Sequence, residues 1–185
     1  TPRELEHQLK DSGAETIIIL ENFAYVLEEV VGNTPIKNVI TTEVADQLGF
    51  PKSIILNVLL KYVLKKVPKF NLPGRVSFNQ CLGEGAGLEY RKPDVGADDL
   101  AFLQYTGGTT GVSKGAMLSH GNIIINVAQA GAWISGRTEK GTDIIITALP
   151  LYHIFSLTAN CFVFSGLGAH NILIPNPRDI PKFIS

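Results

Sequence analysis

Between Thr16 and Thr41 the chain reads as strand, helix, strand. Thr16 to Leu20 is a short β-branched apolar run, Phe23, Val26, Leu27, Val30 and Val31 recur at helical spacing, and Lys37 to Thr41 is a second strand-like run. Two strands joined by a helix run parallel, and such a crossover is right-handed. Residues 1–41 are therefore expected to form one βαβ unit of an α/β fold, a mostly parallel sheet flanked by helices. Ahead of the first strand, Glu4 to Ser12 is expected to be helical. Thr1 stands at the N-cap, Pro2 at the first position and Glu4 at the third, and Gly13 is the stop. Asn22 is the expected cap of the second helix.

The same alternation continues downstream. Strands are expected at Leu100 to Tyr105, Ala116 to Ser119, Ile144 to Leu149 and Asn171 to Ile174, and helices near Gly121 to Trp133 and Ser156 to Phe164. Residues 100–185 hold five basic and three acidic residues, against eleven and fourteen before Leu100, so the C-terminal part is expected to be core. Hydrophobic residues make up 45% and the net charge is −1, the composition of a well-packed globular chain without a nucleic-acid footprint. Cys81 and Cys161 lie far apart with no histidine at ligand spacing, so neither a disulfide nor a zinc site is expected, and a reducing compartment is the default. No signal peptide and no apolar run long enough to span a membrane is visible.

The strand at Leu100 runs into Tyr105, Thr106, Gly107, Gly108, Thr109, Thr110, Gly111, Val112, Ser113, Lys114, Gly115 and Ala116. Glycines let a backbone turn its N–H groups inward, threonines add hydroxyl donors, and the lysine adds a point charge, a combination suited to a polyphosphate. It is not a Walker A loop, because Ser113 precedes Lys114 and Gly115 follows it. Gly83-Glu84-Gly85-Ala86-Gly87 fails the dinucleotide fingerprint, with Leu88 where the third glycine belongs, and reads as a loop. His153, in Pro150-Leu151-Tyr152-His153-Ile154-Phe155, ends an apolar strand where site residues of open sheets gather. A packed core histidine is the competing reading. His120 has no comparable motif, and His7 and His170 read as surface or edge residues.

Residues 47–83 read as a basic amphipathic insertion, with no acidic residue between Gln47 and Gly83 but Lys52, Lys61, Lys65, Lys66, Lys69 and Arg75 within it. As a helix, Ser53, Asn57, Lys61 and Lys65 form one polar stripe, leaving Ile54, Ile55, Leu56, Val58, Leu59, Leu60, Tyr62, Val63 and Leu64 on the remaining circumference. Either other parts of the protein cover that face, or it inserts into an anionic membrane surface through residues 52–69.

The loop, followed by Ala116-Met117-Leu118-Ser119-His120 and then by Thr147-Ala148-Leu149-Pro150-Leu151-Tyr152-His153-Ile154-Phe155, resembles the adenylate-forming superfamily of acyl-CoA synthetases, and within it the bacterial long-chain fatty acid–CoA ligases. The likeness runs from Arg3 to Pro181. It implies that the chain is an internal piece of the large AMP-binding N-terminal domain, since family members are about three times longer, with residues 98–185 forming the core around the phosphate loop and His153. It implies a fatty acid substrate with ATP, Mg2+ and coenzyme A. The carboxylate attacks the α-phosphorus, pyrophosphate leaves, and the coenzyme A thiol takes the acyl group. Lys114 and the loop from Tyr105 to Ala116 would hold the leaving phosphates, and His153 would help position the α-phosphate and carboxylate. Ser113 departs from the proline of many relatives, and no carboxylate here matches the family's magnesium glutamate, so the 185 residues alone are expected to form no acyl-adenylate. The implied location is cytoplasmic, with peripheral attachment to the inner membrane as an option. A non-catalytic nucleotide-binding or membrane-docking module, and a ligase for another carboxylic acid, are the alternatives.

Overall fold

The computed structural model describes residues 1–106 and 112–178. Gly107, Gly108, Thr109, Thr110 and Gly111 of the expected loop, and residues 179–185, lie outside the described residues. The chain divides into two compact units, Thr1–Pro93 with Tyr105–Gly115, and Asp94–Gln104 with Ala116–Ser185.

The first unit opens with α1 (Pro2–Ser12), closed at its start by a capping box between Thr1 and Glu4 and at its end by Gly13 in the left-handed conformation, φ 64. Strand β1 (Thr16–Leu20) pairs in parallel with β2 (Asn38–Thr42), Ile17 opposite Val39 and Ile19 opposite Thr41. Strand β3 (Val76–Ser77) extends β2 in parallel, giving the order β1-β2-β3. Between β1 and β2 the crossover is a 3-10 turn, Glu21–Phe23, followed by α2 (Ala24–Val30). Asn22 does not cap α2; its side-chain amide donates instead to the carbonyl of Lys66 at 3.0 Å, and the helix starts from Phe23 with no side-chain cap. The 3-10 turn puts Asn22 one step too early for the role.

The core of this unit gathers Leu9 of α1, Ala24 and Leu27 of α2, and Leu72, with Leu5, Ile17, Ile19 and Val39 packed against them. Leu27 is fully buried, a contribution of roughly 2 kcal/mol by the area it removes from water.

Residues 47–83 comprise several elements. Helix α3 (Lys52–Val58) continues into a π-helical segment, Leu59–Val63, and after β3 comes α4 (Phe78–Gly85). Gly83 and Gly85 thus stand in a helix, not in the expected loop; Ser77 caps it by accepting from the Gln80 amide at 3.2 Å. The polar stripe of α3 turns into the unit and its apolar side faces outward. Asn57 is buried and Lys61 reaches Glu21 and Glu43, while Ile55, Tyr62 and Val63 are 64%, 68% and 66% exposed. The carboxylates of Glu21 and Glu43, the first residues after β1 and β2, set that orientation.

The second unit contains β6 (Ile144–Thr147) and β7 (His170–Leu173), paired in parallel with Ile145 opposite Asn171, and α5 (His120–Ile134), capped by Ser119. Strands β4 (Leu100–Thr106) and β5 (Lys114–Ser119) form a separate pair, and the unit boundary falls within both. After β6 comes a short helical turn, α6 (Ile154–Ser156), and a π-helical segment, Leu157–Phe164. Sparse charge does not make this part the core. Trp133 is 88% exposed, and among its described residues the buried ones are Thr147, Ser156, Asn160 and Val163, three of them polar. Composition records which side chains are apolar but not what covers them.

Candidate functional site

In the first unit β4 delivers Tyr105 and Thr106 to the start of the loop, and the chain is described again from Val112. Helix α1 holds both ends of this segment. His7 and Asp11, four residues apart, share one helix face. The Tyr105 hydroxyl donates to Asp11 Oδ2 at 2.6 Å, and His7 Nε2 meets the Ser113 carbonyl at 2.9 Å, a contact in which the ring nitrogen must be the donor. The Tyr105 ring lies flat against Gly115, where a Cβ would come within 3.0 Å of Cζ. Glycine at 115 is what permits that approach. Val112, Ser113, Lys114 and Gly115, with His7 and Asp11, line a cleft of about 330 Å³. Lys114 is exposed at its edge, as the first residue of β5. Ala116, the last residue of the expected loop, is exposed within β5.

Burial, the hydrogen bond to Asp11 and the negative charge of Asp11 push the Tyr105 phenol up to about 12. Folding favours the neutral phenol, so stability from this group is intact below the ordinary value of 10.0 and falls as pH rises toward about 12. In an alkaline absorbance titration of the chain's five tyrosines, one tyrosinate signal is expected near pH 12, absent in Tyr105→Phe and shifted to lower pH in Asp11→Asn. A titration indifferent to Asp11→Asn would refute the linkage.

In the second unit His153 sits in the turn that follows β6 and caps α6. Its Nδ1 accepts from the Phe155 amide at 3.3 Å, so the neutral ring carries its proton on Nε2 and presents that N–H to solvent as a donor. His153 is exposed, not a packed core residue. The turn is fixed from three sides. The His153 amide donates to the Pro150 carbonyl at 2.9 Å, Ser156 Oγ to the Leu149 carbonyl at 3.0 Å, and Gln104 Nε2 to the Tyr152 carbonyl at 3.2 Å. Below it a polar chain ties the elements together: Asn160 Nδ2 donates to Thr147 Oγ1 at 2.9 Å, and Thr147 Oγ1 to Asn171 Oδ1 at 2.8 Å.

Tyr105, Thr106, Val112, Ser113, Lys114 and Gly115 therefore belong to the first unit, and Ala116 and His153 to the second. Sequence reasoning missed His7, Asp11, Gln104 and the Thr147-Asn160-Asn171 set. His7, read as a surface residue, is half-buried against Ser113. The i, i+4 spacing of His7 and Asp11 was the available signal, but nothing local tells a helix which distant carbonyl and hydroxyl it will meet.

The profile of the AMP-binding enzyme family matches residues 1–185. The chain is 53% identical over 184 residues to a long-chain-fatty-acid–CoA ligase of Salmonella typhimurium, covering all of this chain and 33% of that protein. It is 54% identical over 187 residues to a long-chain-fatty-acid–CoA ligase of Haemophilus influenzae, again 100% of this chain and 33% of the other. The chain thus spans about a third of the length of the curated relatives it matches. Among solved structures, the anthranilate CoA ligase AuaEII in complex with anthranoyl-AMP superposes with a TM-score of 0.70 at 21% identity, over 100% of this chain and 31% of that one. ATP-bound MatB from Rhodopseudomonas palustris does so at 0.63 and 24%, over 100% and 30%. At those identities the likeness is one of fold.

Proposed function

The chain belongs to the AMP-binding enzyme family, and on that premise we propose that the full-length protein is a long-chain fatty acid–CoA ligase. It uses ATP, Mg2+ and coenzyme A, works in the cytoplasm and attaches peripherally to the inner membrane. The observation that carries this reading is 53% identity to a Salmonella ligase over 184 residues, which covers the whole of this chain.

Two anions must meet in the first step, so the difficulty is charge and orientation. The carboxylate oxygen forms a bond to the α-phosphorus, and the bond to the bridging oxygen breaks as pyrophosphate departs. Lys114 is assigned to the departing β- and γ-phosphates, where its ammonium offsets the charge that builds on them. The α1 contacts to Tyr105 and Ser113 fix the residues that flank the loop, Tyr105 before it and Ser113 beside Lys114. His153, with its proton on Nε2, is assigned a hydrogen bond to the α-phosphate or the reacting carboxylate. Mg2+ would shield phosphate charge, yet among the described residues no group of three His, Cys, Asp or Glu could hold a metal ion, and no step is assigned to such a site here.

The test is hydroxylamine trapping. Full-length protein with a long-chain fatty acid, ATP and Mg2+ is expected to yield acyl-hydroxamate and pyrophosphate in equal amounts, and acyl-CoA when coenzyme A replaces hydroxylamine. The 185-residue chain by itself is expected to release no pyrophosphate. Full-length protein that releases none with any long-chain acid would overturn the proposal, and release only with aromatic or short acids would move it to another ligase of the family.

A further inference from the structure

Helix α3 and its π-helical continuation turn their polar side inward. Asn57 Oδ1 accepts from the Ala45 amide at 2.9 Å, Asn57 Nδ2 donates to Asp46 Oδ1 at 3.2 Å, and Lys61 Nζ donates to Glu21 at 2.7 Å. Those bonds fix the rotation of the helix about its axis. Ile54, Ile55, Val58, Tyr62 and Val63 are therefore held outward, 47% to 68% exposed, as one contiguous ridge. The amphipathic logic of a surface helix is reversed here, because the side that ordinarily meets water is the side that is bonded.

The ridge adjoins a cationic cleft. Lys61, Lys65, Lys69 and Arg75, with Tyr62 and Phe70, line a depression of about 770 Å³. Lys61 and Arg75 are already matched to Glu21 at 2.7 and 3.1 Å, whereas among the described residues Lys65 and Lys69 form no ion pair, and Lys66 is exposed beside them. The segment from Leu48 to Leu82 itself contains no carboxylate, and beyond Glu21 and Glu43 the acidic side chains brought to it include Glu28, which accepts from the Asn71 amide at 3.0 Å. Lys65 itself stands at φ 49, a left-handed conformation in which a glycine would be less strained. Apolar side chains bordered by lysines complement one kind of surface, hydrocarbon lying beneath a layer of phosphates.

We propose that the Ile54–Val63 ridge and the Lys65/Lys69 cleft together dock the first unit onto a bilayer of anionic phospholipid, the ridge entering below the headgroups and the cleft receiving lipid phosphates. The helix lies along the surface, and among the described residues no helix is long and apolar enough to cross a membrane. This deepens the peripheral attachment proposed above but uses none of the ligase chemistry, so vesicle binding and acyl-CoA formation can fail separately.

Sedimentation of the full-length protein with phosphatidylcholine vesicles, with and without phosphatidylglycerol, tests it. Binding is expected to require phosphatidylglycerol and to weaken as salt rises. Lys65→Gly, which removes charge while relieving the backbone, and Lys69→Gln are each expected to weaken it about fivefold. Ile55→Asp with Val63→Asp is expected to abolish it without lowering the Tm, because both side chains are already exposed. Absence of vesicle binding, binding unchanged in these variants, or a Tm that drops in the aspartate variant because another part of the protein covers the ridge would each overturn the proposal. So would self-association that Ile55→Asp removes in a protein that ignores vesicles.

Discussion

Lys114→Ala in the full-length protein is expected to lower kcat/KM for ATP about a hundredfold while leaving the Tm unchanged. Lys114 is exposed where β5 begins, at the edge of the cleft shared with His7 and Asp11. Deleting an exposed ammonium leaves no cavity and orphans no buried partner, so a folding defect is not expected. What is lost is a positive charge assigned to the phosphates as pyrophosphate departs, when their negative charge is greatest. The loss should therefore fall more on kcat than on KM. Lys114→Arg keeps the charge but spreads it over a broader planar head, and partial recovery is expected. Steady-state pyrophosphate release across ATP concentrations reads both parameters. A loss of threefold or less in kcat/KM, or one confined to KM, would show that Lys114 is not a transition-state contact.

The parts of this molecule that could be read in its sequence are those decided over a few residues. The capping box of α1 needs only Thr1 and Glu4, and the strand at Thr16–Leu20 needs only its run of isoleucines between turn residues. Asn22 was misread although the decision is local, because the chain tightens into a 3-10 turn before α2 and leaves the side chain beside Lys66. The orientation of α3 lay out of reach for a different reason. Lys61 finds Glu21 and Glu43 across 40 and 18 residues, and periodicity alone cannot say which side of an amphipathic helix meets protein. The candidate site divides in the same way. The glycines, threonines and lysine of the loop announce a phosphate binder by type, whereas Tyr105 and Asp11 are 94 residues apart and His7 and Ser113 are 106. Those contacts exist only once Tyr105 and Ser113 have been brought against α1.

Glu21→Gln is expected to destabilise the first unit by about 3 kcal/mol, lowering its thermal midpoint by roughly 15 °C. Glu21 is only 5% exposed and holds two cations, Lys61 at 2.7 Å and Arg75 at 3.1 Å. Arg75 is itself positioned by Thr41 Oγ1 and by the Phe70 ring, its guanidinium carbon 5.0 Å from the centroid, so it cannot swing out to solvent without losing both contacts. Glutamine keeps the shape but removes the charge that compensates both partners. Glu43, at 3.5 Å from Lys61, offsets only part of that loss. Alkaline pH separates this electrostatic effect from simple packing. The hydrogen bond to Glu21 raises the Lys61 pKa above 10.5, with burial opposing it. A raised lysine contributes stability that is present below 10.5 and is lost as pH climbs through the higher folded value. Wild type should therefore lose this contribution above pH 10.5 and Glu21→Gln should show a shallower decline there, with the tyrosine effect removed from both by Tyr105→Phe. Apolar replacement of the whole cluster, Glu21→Leu with Lys61→Met and Arg75→Leu, should recover most of the stability, since no buried charge is then left unmatched. Chemical denaturation monitored by circular dichroism measures all three proteins. If Glu21→Gln unfolds within about 0.5 kcal/mol of wild type, the cluster is a solvated ion pair rather than the link that fixes the rotation of α3.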